Sequence, residues 1–209
     1  MTSPVRELHP KTDAPVALHD RAMDNLRYIR ETMERSASFT HVSGIGGVAM
    51  GVVAFAAAGL AWTASSPAEW VTVWLVAAGV SLGVAVLFLA RKSKAEGVTL
   101  LTGPARKFAW SVTPPLAAGG ILTVAFVRGG VVDMLPGMWL LLYGTGIVAG
   151  GSHSVRPIPI MGATFMAVGV AALLGPSDWH TVWGNLWMAA GFGGLHVIFG
   201  AIIWRRHGG

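Results

Sequence analysis

Six stretches without a charged side chain dominate the sequence: residues 42–62, 70–90, 108–127, 137–151, 158–174 and 183–204. A helix needs about 20 apolar residues to cross roughly 30 Å of hydrocarbon. The first, second, third and sixth runs reach that length. The fourth and fifth are shorter, with Gly and Pro at their edges, and their length alone would also suit a re-entrant pair. Two full spans are the better reading, because Met138 and Trp139 extend the fourth run and because six crossings organise the charges. Only 12% of the residues are charged, against about 25% in an average soluble domain. The expected fold class is therefore an all-α, polytopic membrane bundle.

Lys and Arg collect in the short cytoplasmic loops of membrane proteins. With the amino terminus inside and six crossings, every basic residue except Arg128 falls on the inner side, including Arg91, Lys92, Lys94, Arg106, Lys107, Arg156, Arg205 and Arg206. Both termini are then cytoplasmic, as expected for a bacterial inner-membrane protein. Trp62, Trp70, Trp139, Trp179 and Trp183 are expected at the outer interface, where indole rings favour the headgroup level. The net charge of +5 follows from this orientation and gives no reason to expect nucleic-acid binding. Cysteine is absent, which excludes disulfides, thiolate metal sites, iron–sulfur clusters and a cysteine nucleophile.

About 40 polar residues precede the first run, so that run is not expected to be a cleaved signal peptide. Residues 1–16 read as a flexible tail, with Pro4, Pro10 and Pro15. Residues 17–37 read as an amphipathic helix on which Leu18, Ala22, Leu26, Ile29 and Met33 recur at steps of three and four. The ion pairs Arg30–Glu34 and Glu31–Arg35 have helical spacing. The head carries six basic and six acidic side chains. A helix held on anionic lipid would be more basic, so docking on protein through Leu26, Ile29 and Met33 is expected as much as lying on the membrane. Residues 38–209 form the transmembrane domain.

An internal repeat links Trp70-Val-Thr-Val-Trp74 to Trp179-His-Thr-Val-Trp183, each followed by Ala-Ala-Gly and a basic pair. Three consecutive hairpins is the implied architecture. Gly47 and Gly51, Gly79 and Gly83, and Gly146 and Gly150 form three small-xxx-small pairs. Such pairs let helix backbones approach within one chain or between copies.

Candidate chemistry is sparse. No Asp, Glu, Lys or Arg lies in the middle of a run, which counts against an ion-coupled carrier. His196 is the one ionisable residue deep in a span. It is a candidate ligand for haem iron or a pigment magnesium, or a proton relay. The competing reading is a neutral imidazole bonded to a hydroxyl or carbonyl of a neighbouring helix. His41 and His153 are its candidate co-ligands, at the cytoplasmic ends of their runs. Gly150-Gly151-Ser152-His153 superficially suggests a rhomboid protease, but the final glycine of that family's serine motif is absent. His196 also lacks the preceding Ala and the glycine three residues later. No enzymatic activity is expected.

The head segment Asp24-Asn25-Leu26-Arg27-Tyr28-Ile29-Arg30-Glu31-Thr32-Met33-Glu34 is followed by Ser38-Phe39-Thr40, Gly-Gly-Val-Ala-Met-Gly at 46–51 and Gly-Gly-Leu-His at 193–196. With these motifs the chain resembles uncharacterised bacterial six-span membrane proteins. That likeness implies no activity, and draws attention to the head helix and His196. Two functional expectations follow. One is a non-enzymatic accessory, scaffold or sensor module that binds a protein partner or a second copy at the cytoplasmic face. The other is a binder of a cofactor, pigment, lipid or permeating solute between the hairpins near His196.

Overall fold

The computed structural model describes residues 21–29, 42–95, 97, 103–152, 154–176, 178–179 and 182–207. The chain is an all-α, multi-pass integral membrane protein with six helices long and apolar enough to span a bilayer. Residues 21–29 form helix α1, a separate unit. The spans are α2 (Gly44–Ala61), α3 (Pro67–Ala95), α4 (Gly103–Gly129), α5 (Leu135–Gly151) and α6 (Pro157–Leu174), followed by a sixth made of three pieces. Its pieces are α7 (Val182–Met188), a π-helical turn (Ala189–Leu195) and α8 (His196–His207). A 3₁₀ turn, Val132–Met134, leads into α5 and brings that span to 20 residues. The two short runs are thus both full-length helices.

Sequence chemistry sets the helix ends. The Ser43 side chain caps α2 by accepting from Gly46 N–H at 3.1 Å, which satisfies one of the unpaired donors of the first turn. Pro lies in the first turn of α5 and α6, where its missing N–H costs nothing. Glu69 in the first turn of α3 and Lys92 and Lys94 in its last complement the helix dipole. Lys92 is buried at that end, and its Nζ donates to Val42 O at 3.4 Å.

Two tight helix pairs form the centre: α2 against α8, and α5 against α6. Both are built on glycines seven residues apart. A Cβ at Gly51 would lie 2.8 Å from Gly193 O, and one at Gly200 would lie 2.6 Å from Val48 N and 2.9 Å from Gly44 O. In the second pair a Cβ at Gly144 would lie 2.6 Å from Gly162 O, and one at Gly169 would lie 2.7 Å from Leu141 N. Lipid supplies no hydrophobic drive for helix association, so close backbone contact has to supply the dispersion energy. A seven-residue repeat keeps one face on its partner over successive double turns.

The GxxxG pairs divide between these contacts and open space. Gly47 and Gly51 face α8, with Gly47 opposite the Gly200 Cα. Gly146 and Gly150 face Val112 and Phe108 of α4. Gly79 and Gly83 meet nothing within 4 Å, so of the two arrangements open to that pair, packing within the chain is not the one adopted. The reason is topological. Helix α3 packs on α2 and α4 packs on α5, but α3 and α4 barely touch each other. Only 11% of the apolar window is buried in each of these two helices, against 50% in α5, so they are the peripheral ones. Antiparallel neighbours pack as α2–α3, α4–α5 and α5–α6, whereas α8 lies chiefly on α2 and only lightly on α6.

Two of the expected interfacial indoles, Trp70 and Trp139, pack inside the bundle. Trp70 is completely buried and donates from Nε1 to Asn185 Oδ1 at 2.9 Å. It stacks on Trp139 at 5.8 Å between ring centroids and 1° between planes. Trp139 Nε1 donates to Thr123 Oγ1 at 2.8 Å, which ties α4 to α5. Trp62 and Trp183 are exposed as expected. The two W-x-T-V-W copies are therefore not equivalent. Trp70 and Trp74 point into the core from α3, whereas Trp179 precedes α7 and Trp183 faces outward. In α1, Leu26 and Ile29 are exposed, and Asp24 pairs with Arg27 at 3.6 Å. Met33, the pairs Arg30–Glu34 and Glu31–Arg35, the tail 1–16, His41 and His153 lie outside the described residues.

Candidate functional site: a lateral cleft floored by His196 and Tyr143

Because α3 and α4 barely touch, they leave a cleft of about 610 Å³ between them, floored by α2, α5 and the last span. Its walls mix large apolar side chains with small residues, among them Ala77, Ala78 and Gly79 on α3 and Ala109, Gly119 and Gly120 on α4. From Trp74 to Leu89 it follows α3 for about 22 Å at helical rise, most of the thickness of a bilayer core. Pro115, one of two prolines inside α4, also lines it. A proline inside a helix withdraws one backbone donor. The surface is almost entirely apolar; the polar side chains that reach it include Ser81, Thr123, Tyr143, His196 and Trp74.

His196 is buried and held from both ring nitrogens. Nδ1 lies 2.8 Å from Phe192 O, and Nε2 lies 2.8 Å from the Tyr143 hydroxyl. A carbonyl can only accept, so Nδ1 carries the proton. In the neutral ring Nε2 then accepts from the Tyr143 O–H. The π turn arranges the first bond. The backbone N–H of His196 goes to Gly193 O, and the side chain takes the Phe192 carbonyl. π turns open the helix by one residue and recur at functional positions. The ring is further enclosed by Phe165, 5.2 Å away edge-on, and by Phe192, 6.2 Å away and nearly parallel. Tyr143 packs edge-on against Phe165 at 4.9 Å.

Both ring nitrogens are thus engaged by groups of the protein itself. Iron or magnesium coordination at Nε2 would have to displace Tyr143. Among the described residues no three His, Asp or Glu side chains cluster as a metal site. Ser152 donates to Ala149 O at 2.8 Å and is not joined to His196, so the two form no nucleophile–base pair. Tyr143 was not singled out by sequence. It is one of two tyrosines in the chain, and a lone phenol inside an apolar run is the signal that would have marked it as the partner of His196.

The bond joins α5 to α8, and its strength is measurable. A double-mutant cycle on Tyr143→Phe and His196→Leu in an unfolding titration is expected to give a coupling of about 0.6–1.7 kcal/mol. His196→Gln, which keeps an acceptor, should cost less than His196→Leu. A coupling of zero would show that the two side chains do not meet.

Trp74 presents the opposite situation. It lines the cleft, is only 4% exposed, and its Nε1 donor has no hydrogen-bond partner. A buried unpaired donor costs about 1–3 kcal/mol. Trp70, 6.2 Å away, shows how a similar indole is satisfied through Asn185. No protein-family model, curated protein or solved structure matches this chain.

Proposed function

We propose that this six-span membrane protein is a non-enzymatic binder of a chain-bearing molecule drawn from the bilayer, which lies in the cleft between α3 and α4. The cleft carries this reading. Its volume of about 610 Å³ falls within the roughly 300–1,000 Å³ of small-molecule sites. An extended chain can follow the cleft along α3, and the lateral opening admits it directly from lipid. When the protein is purified in mild detergent and weighed intact, it should carry one chain-bearing molecule. Recovery of the polypeptide mass alone would overturn the reading.

A second role rests on the head. Leu26 and Ile29 are exposed on α1, and an apolar stripe on so short a helix needs a covering surface to be stable. We take that surface to be a protein partner or the membrane, with the chain acting as an accessory or sensor module.

The basic loops and the likeness to bacterial six-span proteins support placement in the cytoplasmic membrane with both termini inside. Ser65 and Lys94 are exposed at opposite ends of α3. In intact cells a cysteine at Ser65 should react with an impermeant thiol reagent, and one at Lys94 should not. The reverse pattern would invert the topology.

A further inference from the structure

The geometry points to a more specific ligand: we infer that the chain bound in the cleft carries a hydrogen-bond-accepting oxygen, and that Trp74 Nε1–H is its recognition group. This rests on the cleft being a chain-binding site and adds the chemistry of the head. Two observations support it. First, Trp74 lines the cleft and its Nε1 is a buried donor without an acceptor. In hydrocarbon no water competes for that proton, so an oxygen offered by the ligand is the available partner. Second, two neighbouring hydroxyls on the cleft already have acceptors for their protons. Thr123 donates to Gly119 O at 2.7 Å, and Tyr143 donates to His196. Of Thr123, Tyr143 and Trp74, the indole alone keeps a proton without an acceptor, while the hydroxyls of Ser43 and Ser81 also line the cleft. The nitrogen is covered by its neighbours, so engagement requires a turn of the indole that brings its N–H to the ligand. The chemistry fits an ester, ketone or ether oxygen on a long chain. An acyl lipid and an isoprenoid both supply it.

The test uses four probes added to the detergent-purified full chain, with occupancy read from intact-complex masses. Methyl palmitate is compared with octadecane, and phytyl acetate with phytane. The wild type is expected to favour at least one ester over its hydrocarbon by about tenfold, the scale of one hydrogen bond. In Trp74→Phe, which keeps an aromatic ring and removes the donor, that ratio should fall to about one while hydrocarbon binding persists. A preference for methyl palmitate assigns an acyl ligand, and one for phytyl acetate an isoprenoid. Equal binding of ester and hydrocarbon in the wild type overturns the inference and leaves the cleft as a chain site. Failure of all four probes to bind overturns both. An ester preference that survives in Trp74→Phe overturns the assignment to Trp74. The wild-type comparison needs no variant, so misfolding of Trp74→Phe would not protect the inference.

Discussion

Gly200→Val is expected to separate the last span from α2 and to cost about 3 kcal/mol, the upper end of the usual overpacking range. The reason is what a side chain would meet there. A Cβ would lie 2.6 Å from Val48 N, 2.9 Å from Gly44 O and 2.9 Å from Gly47 C. All three are backbone atoms of the facing helix, so no rotamer change relieves the clash and the helices themselves must part. That sacrifices the dispersion contact on which association in lipid depends. Gly162→Val should behave alike on the α5–α6 pair, where the nearest atoms are Val148 N at 2.7 Å and Gly144 O at 2.8 Å. Denaturant or thermal unfolding of each variant beside the wild type reads the effect. Unchanged stability would mean that these backbones do not approach as described.

Gly120→Phe is expected to do the reverse: leave the fold intact and abolish occupancy of the cleft. Gly120 lies on the α4 wall, and a Cβ there meets nothing within 4 Å. A ring at this position has room to extend into the cleft rather than into a neighbouring helix. Replacing glycine inside a helix also removes a penalty of about 0.8–1.0 kcal/mol relative to alanine. Stability should therefore be equal to or above that of the wild type, while the bound chain is lost. Gly79→Phe, on the facing wall of α3, should reproduce the effect. Glycines in one chain thus split into two classes with opposite responses. Those at Gly200 and Gly162 permit backbone contact, and those at Gly79 and Gly120 keep a space open.

That split marks the boundary of what could be read from the sequence. The spans were legible because each is a charge-free run, and hydropathy is a local property. Helix partners were less so. The four-residue spacing drew attention to Gly79 and Gly83, which face no helix, and away from Gly137, Gly144, Gly162 and Gly169, whose seven-residue spacing is that of a tight antiparallel seam. Trp70 and Trp139 read as interfacial because they flank apolar runs. What was not legible is their packing: Trp70, near the start of α3, bonds Asn185 and stacks on Trp139. His196 stood out as the one ionisable group within a span, but its partners, the Tyr143 hydroxyl and the Phe192 carbonyl, did not. The cleft was not legible. It arises because two helices adjacent in sequence turn to different partners, and no local pattern encodes that.

The central claim, that the space between α3 and α4 holds a chain from the bilayer, is tested most directly by weighing three intact proteins from the same membranes. They are the wild type, Gly120→Phe, and Val52→Phe, whose change lies on an exposed part of α2 outside the cleft. Lipid merely adhering to the surface would be lost from, or kept by, all three alike. The account predicts one retained chain-bearing molecule on the wild type and on Val52→Phe, and none on Gly120→Phe. Equal retention by all three, or none on the wild type, would contradict it.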